Sequence, residues 1–249
     1  MAQRSAKAPL KLQRPFYPEG PVCHGVMLHT AGGIAGGDRL DVSLTLEEQA
    51  RALLTTAAAS KVYRSAGAAA QQHIAITVGP GAGLEWFPQE TILFNGARYH
   101  QDVRVSLAED AVWMGWDVVR LGRSARQETF DRGIWRSLTV VEQGGQPLWV
   151  DPQCLPGGST VLTSPAGLHH CPVVGTFVAA GREVPRTLVE ACRQSRPEAE
   201  AGVTRLMRGL LCRYRGQSTA QAKQWFEQVW NLLRQHYYGR PSCRPRVWP

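Results

Sequence analysis

Acids embedded among aromatic and apolar neighbours are the first candidates for chemistry in this sequence. Glu85 and Glu90 lie in the run Leu84-Glu85-Trp86-Phe87-Pro88-Gln89-Glu90-Thr91-Ile92, and Asp117 follows Trp116. Two of the three could form an acid/base pair, or all three a metal site, if the fold brought them into one cleft. Each is equally readable as an exposed or hydrogen-bonded acid. Arginines follow Asp117 at positions 120, 123 and 126, so it could instead pair with Arg120 or Arg123 across a turn at Gly122. A buried acid without a partner is costly, and such a pair would be structural. Softer donors occur at His169-His170-Cys171 and Cys23-His24. Neighbouring side chains on a strand point to opposite faces, so adjacent donors seldom share one ion.

Glycines dominate His29-Thr30-Ala31-Gly32-Gly33-Ile34-Ala35-Gly36-Gly37-Asp38. A dinucleotide fingerprint ending at Gly36 would need glycine at position 31, which is alanine. A Walker loop would need lysine where Asp38 stands. A tight crossing between strands fits better than a phosphate loop, because glycine pairs allow close backbone approach. Further on, Leu54-Thr55-Thr56 leads into Lys61-Val62-Tyr63-Arg64-Ser65. Lys61 and Tyr63 would share one strand face, either as anchors for an acidic partner or as an ordinary solvated charge and a half-buried ring.

The elements that must position these residues read mainly as strands. Val42, Leu44 and Leu46 alternate with polar neighbours, as do Ile74, Ile76 and Val78, and Val103, Val105 and Leu107. That period places apolar side chains on one face of a sheet. Val112 to Val119 and Trp135 to Val141 read as further strands, and breaks at 79–81, 144–145 and 156–158 supply turns. No fixed-length repeat is visible. Two helices interrupt the pattern. One is expected at about 186–194, after Pro185, and a longer one at 219–238. In the second, Ala222, Trp225, Phe226, Val229, Leu232 and Leu233 form one stripe, with capping spacing at Ser218 and Gln221 and a stop at Gly239. The stripe should pack on the sheet. A basic, proline-rich tail, 240–249, should lie extended. The whole chain, 1–249, reads as a single domain.

The net charge of +8 comes mostly from arginine, and lysine occurs only at positions 7, 11, 61 and 223. The basic residues are scattered, which disfavours a nucleic-acid module without removing it as an alternative. No run of about 18 apolar residues is present for a membrane helix, and no apolar stretch follows the basic N-terminus as in a secretory signal. A cytoplasmic protein with free thiols at its six cysteines is the expectation.

Taken in order, several of these motifs resemble the UreD (UreH) family of urease accessory proteins. They are His-Thr-Ala-Gly-Gly-x-x-Gly-Gly-Asp at 29–38 and Leu-Thr-Thr-x-Ala-x-x-Lys-Val-Tyr-Arg-Ser at 54–65. Leu-Glu-Trp-x-Pro-Gln-Glu-Thr-Ile at 84–92, Trp-Asp at 116–117, Leu-Gly-Arg at 121–123 and the ending Pro-Arg-Val-Trp at 245–248 complete the set. The segment from about 155 to 216 matches least, and Ala31 stands where the family often has a third glycine. The resemblance implies a β-rich fold with helical winding of stacked sheets and two α-helices. It implies a maturation factor and not an enzyme, which binds UreF, through it the GTPase UreG, and the urease apoprotein. No permanent cofactor is implied, only transient Ni2+, with no membrane and no nucleic acid. By the same resemblance Gly32, Gly33, Gly36, Gly37, Asp38, Lys61, Tyr63, Arg64, Pro88, Gly122 and Arg123 would belong to the interaction core. Asp38, Thr55, Thr56, Glu85, Glu90 and Asp117 are candidates to line a path for a hydrated divalent cation, since hard oxygen ligands let an ion move on. A β-helical hydrolase using two of Glu85, Glu90 and Asp117 is the competing enzyme reading.

Overall fold

The computed structural model describes residues 3–248, so Pro249 of the expected tail lies outside them. After a short β1 (Leu10–Leu12), the chain crosses repeatedly between two sheets. The larger sheet receives β2 (Cys23–His29) and the smaller β3 (Arg39–Leu46); β4 (Arg51–Thr56) returns to the larger. Past β5 (Ser60–Val62), β6 (Ala70–Val78) joins the smaller sheet and β7 (Gly83–Phe87) the larger. Past β8 (Thr91–Leu93), β9 (Arg98–Leu107) joins the smaller, β10 (Val112–Leu121) the larger and β11 (Ile134–Gln143) the smaller. Through these coils every neighbouring pair is parallel, β2 on β4 on β7 on β10 and β3 on β6 on β9 on β11. This is a solenoid of stacked coils, mainly β, as the resemblance implied.

The coils differ in length, which is why no repeat shows in the sequence. Arg39 lies opposite Gln71, Ala70 opposite Tyr99 and Arg98 opposite Ile134. A narrow third side is made by β5, β8 and the end of β10, where Ser60 and Val119 both lie opposite Thr91. The chain then reverses. β12 (Gln146–Pro156) pairs antiparallel with β11, and β13 (Val173–Ala180) antiparallel with β10. After α1 (Arg186–Gln194), β14 (Glu200–Leu206) and β15 (Gly209–Gly216) extend the larger sheet, and α2 (Thr219–Tyr238) packs across it. Both helices have the bounds their sequence patterns predict.

Burial follows strand parity. Ile74, Ile76, Val103, Val105, Leu84, Trp86 and Trp113 fill the space between the sheets. The alternate residues of the larger sheet, among them Leu53, Phe87, Met114, Trp116 and Phe177, face α2 and meet Trp225, Phe226, Val229 and Trp230. With both faces covered, β7 and β10 carry near-continuous apolar runs instead of alternation. A third cluster behind the narrow side joins Ile34, Val62, Leu93, Leu121, Tyr99 and Trp135. Ser218 caps α2 by accepting from the Gln221 amide at 3.2 Å, and Gly239 ends it at φ +63°. The Gln221 side chain completes no reciprocal box; its Oε1 accepts from the Tyr214 hydroxyl at 2.9 Å. Among the described residues no helix is long and apolar enough to cross a membrane.

Candidate functional site

The register that stacks aliphatic residues between the sheets also stacks polar ones. On the smaller sheet Gln72 lies opposite Gln101, Gln101 opposite Ser137 and Ser137 opposite Gln153. On the larger sheet Asp117 lies opposite Thr176, and Thr176 opposite Arg213. Thr56, at the end of β4, continues this side. The result is a polar band through an otherwise apolar sandwich, running along the axis of the coils.

Two cavities follow the band, of about 40 and 200 Å³, and both are lined by Trp86, Pro88, Gln101 and Asp117. The larger extends to Thr56, Lys61, His29 and the Gly32-Gly33 loop. Its volume is room for several waters at about 30 Å³ each. Gln101 Oε1 is buried without a protein partner, an acceptor left for water or a cation. At the far end Arg213 donates to Thr176 Oγ1 at 2.7 Å and to Asp151 Oδ1, and its guanidinium lies 5.8 Å from the Trp149 ring centroid. Asp117 has protein on all sides yet borders the cavities, so some of its surface stays open to them. Burial pushes its carboxyl up to about 7, Asp151 adds to the shift, and the Val118 amide opposes it.

The six residues expected to line an ion path part company. Thr56 and Asp117 border the cavities. Glu85 faces away, under α2, where it accepts from Trp230 Nε1 at 2.8 Å and lies 2.9 Å from Arg234 Nε. It is 2% exposed. Burial lifts its carboxyl to about 7 while the Arg234 charge holds it down. Thr55 shares that outer face, donating to the Phe87 carbonyl at 2.6 Å and accepting from Trp248 Nε1 at 2.8 Å. Glu90 pairs with Lys223 at 2.6 Å. Asp38 is exposed and accepts from the Ala35 amide at 2.8 Å, closing the glycine loop. Glu85 and Asp117 therefore stand on opposite faces of one sheet and do not form the cleft a paired-carboxylate hydrolase needs. Neither arginine proposed for Asp117 reaches it. Arg120 has opposite parity on β10 and donates to the Gln217 carbonyl at 3.1 Å, while Arg123 binds both oxygens of Glu128 at 2.7 and 2.8 Å.

The remaining motif residues meet at the third side of the coils. Tyr63 donates to the Gly32 carbonyl at 2.8 Å, and Ile34 pairs with Val62 in a parallel bridge. A Cβ at Gly33 would come within 2.8 Å of the Tyr63 ring, so glycine is what lets the loop lie on this strand. Gly36 likewise faces Ser65, and Gly37 adopts φ +92°. Pro88 accepts from Trp116 Nε1 at 2.7 Å. Gly122 turns at φ +77° and carries Arg123 over the Phe94 ring at 4.4 Å. Next to it an open groove is lined by Tyr63, Arg64, Arg98, Arg126 and Arg132, with Lys61 exposed nearby.

Sequence reasoning missed Gln72, Gln101, Ser137, Asp151, Gln153, Thr176 and Arg213. Their one available signal was a polar residue at an inward position, as Gln101 is between Tyr99 and Val103. All six cysteines are free, with Cys192 and Cys212 buried and Cys154 exposed. His169 binds Glu200 at 3.0 Å, and His24 turns towards Glu19.

Comparison with known proteins brings one family forward. A family model described as UreD urease accessory protein matches residues 1–249. The chain is 55% identical over 244 residues to a urease accessory protein UreD of Nostoc sp., covering 97% of this chain and 88% of that one. It is 54% identical over 247 residues to the counterpart of Acaryochloris marina, covering 98% and 87%. The counterpart of Methylobacillus flagellatus is 42% identical over 245 residues, covering 97% and 86%.

Proposed function

This chain belongs to the UreD family of urease accessory proteins, and we propose that within urease maturation it is a scaffold whose interior polar band carries nickel towards the apoenzyme. The band is the observation that carries the reading. Amide oxygens of Gln72 and Gln101, hydroxyls of Thr56, Ser137 and Thr176, and the Asp117 carboxylate are hard, neutral or singly charged donors. Such donors replace water around a divalent ion without trapping it, as a cage of thiolates and imidazoles would. The apolar walls, Trp86, Trp113 and Val103, offer an ion no second route. Arg213, held by Asp151, bounds the band and keeps a positive charge at its far end.

Docking belongs to the exterior. The groove of Arg64, Arg98, Arg126 and Arg132 suits an acidic protein surface. The partners in this reading are UreF, UreG through UreF, and the urease apoprotein, and the chain itself transforms no substrate.

The deciding experiment is urease activation in cells whose own copy is replaced by Gln101→Leu or by Ser137→Ala. Each keeps the core filled and removes oxygen ligands from the band. Activation should fall about tenfold or more, the equivalent of about 1.4 kcal/mol against ion passage, while co-purification with the partner proteins is unchanged. Full activation with both variants would send nickel by another route.

A further inference from the structure

On the opposite face of the larger sheet from the band, three donors of different chemistry converge from the two ends of the chain. Glu19 lies in the loop before β2, His24 on β2 and Cys243 beyond α2. One ligand atom from each lies within 4.8 Å of the others. His24 is 1% exposed, and its Nε2 is 2.7 Å from Glu19 Oε1. Burial holds its imidazole below the usual range, against the pull of the Glu19 carboxylate.

The cysteine is not on a loose end. The Ser242 amide donates to Asn231 Oδ1 at 2.9 Å, and Arg234 Nη1 donates to the Pro241 carbonyl at 2.8 Å. Further along, Trp248 is anchored on Thr55. Glu19 is placed as firmly, since its Oε1 accepts from Arg234 Nη2 at 2.7 Å and its carbonyl accepts from Arg240 Nη1 at 3.1 Å. Its Oε2 has Arg240 no nearer than 4.0 Å. Arg234 also lies against Glu85, so the local positive charge is shared by two carboxyl groups.

We propose that Glu19, His24 and Cys243 form a binding site for a divalent ion of the zinc, cobalt or nickel type. One thiolate, one imidazole and one carboxylate make a borderline-soft set that these ions favour over magnesium or calcium. Three protein ligands leave a position for water. Binding replaces the His24–Glu19 hydrogen bond. The neutral ring's one proton, which faces Glu19 from Nε2, leaves that nitrogen and is replaced by one at Nδ1, so Nε2 has a lone pair for the ion; the Cys243 S–H bond breaks as the metal–sulfur bond forms, and that proton passes to solvent. No electron changes hands. The bound ion would staple the segment leading into the first coil to the tail that leaves the last helix. The site is separate from the proposed path, because the sheet lies between them.

The test is Co2+ titration of the full-length protein, followed by its absorption spectrum. One equivalent should produce a thiolate-to-cobalt charge-transfer band. Cys243→Ser should abolish that band and weaken binding at least about tenfold, or about 1.4 kcal/mol; Cys154→Ser, which alters an exposed thiol elsewhere, should leave both intact. Zn2+ should protect Cys243 from alkylation, as read by peptide mass. A band that survives Cys243→Ser, the lack of any stoichiometric band in the unaltered protein, or alkylation of Cys243 unaffected by Zn2+ would each overturn the proposal.

Discussion

Glu85 and Asp117 stand on nearby strands of the same sheet, and burial lifts both carboxyl groups to about 7. Their surroundings differ in kind. Glu85 points out under α2, where its Oε1 accepts from Trp230 Nε1 and lies against Arg234 Nε, and it borders a separate cavity of about 290 Å³ that Arg51 and Arg240 also line. Asp117 points in, between the sheets, and borders cavities instead of a cation. One sheet thus separates an acid matched to a buried arginine from an acid that faces its cavities with no cation beside it. The same residue type beside tryptophan serves two ends, and the partner decides which.

Arg234→Met should break this contrast most severely. It strands Glu85 without its cation and takes one of three partners from Glu19, and removing one member of a buried ion pair costs about 3–5 kcal/mol. Urea unfolding would read the loss. Arg234→Met combined with Glu85→Leu should regain part of it, because an apolar pair tolerates burial; no recovery would mean the arginine matters for other reasons.

Asp117→Asn should act in the opposite direction, by about 1–3 kcal/mol after allowance for the water its cavities admit. The folded protein holds the Asp117 proton more tightly than the unfolded chain, whose value is 3.8. Its contribution is therefore complete at low pH and is lost as pH rises from about 4 to about 7. The asparagine variant should lack that decline and be the more stable protein at pH 8. Parallel pH–stability curves for the two proteins would show that Asp117 ionises as if exposed.

Thr55→Val probes the face under α2 more gently. It leaves the Phe87 carbonyl and Trp248 Nε1 without their partner and should cost about 1–2 kcal/mol. Thr56→Val, one residue along, removes the acceptor of the Gln89 amide at 2.9 Å and the donor to the Ala58 carbonyl at 3.2 Å, but water in the cavity it borders can replace both, so it should cost less. Equal losses would erase the distinction between the two faces.

Much of this architecture was legible in the sequence because it rests on local periodicity. The alternation in β6 and β9 and the stripe and caps of α2 are short-range patterns, and they map onto the structure directly. The stripe itself was incomplete, since Trp230 and Arg234 are buried with it. The site was less legible, for two reasons. Parity tells which residues share a face of one strand, but Pro88 interrupts the strand path between Glu85 and Glu90, and nothing local says which face α2 covers. The band is assembled by register across strands up to dozens of residues apart, as Gln72, Gln101, Ser137 and Gln153 are. Glu19 and His24 are close in the sequence, but Cys243 comes from the other end of the chain, and its convergence with them has no short-range trace.

The change of strand direction at β12 and β13 has a consequence for the size of the molecule. A parallel coil presents its successor with a template, and stacked coils with bare ends tend to add further copies. Here β12 folds back on β11 with a register shift at Val141 and Glu142, and β13 folds back on β10. Each sheet therefore reverses strand direction at the same end of the stack. That reversal ends the parallel winding at β10 and β11, and the strands that follow run against the coils instead of adding another turn.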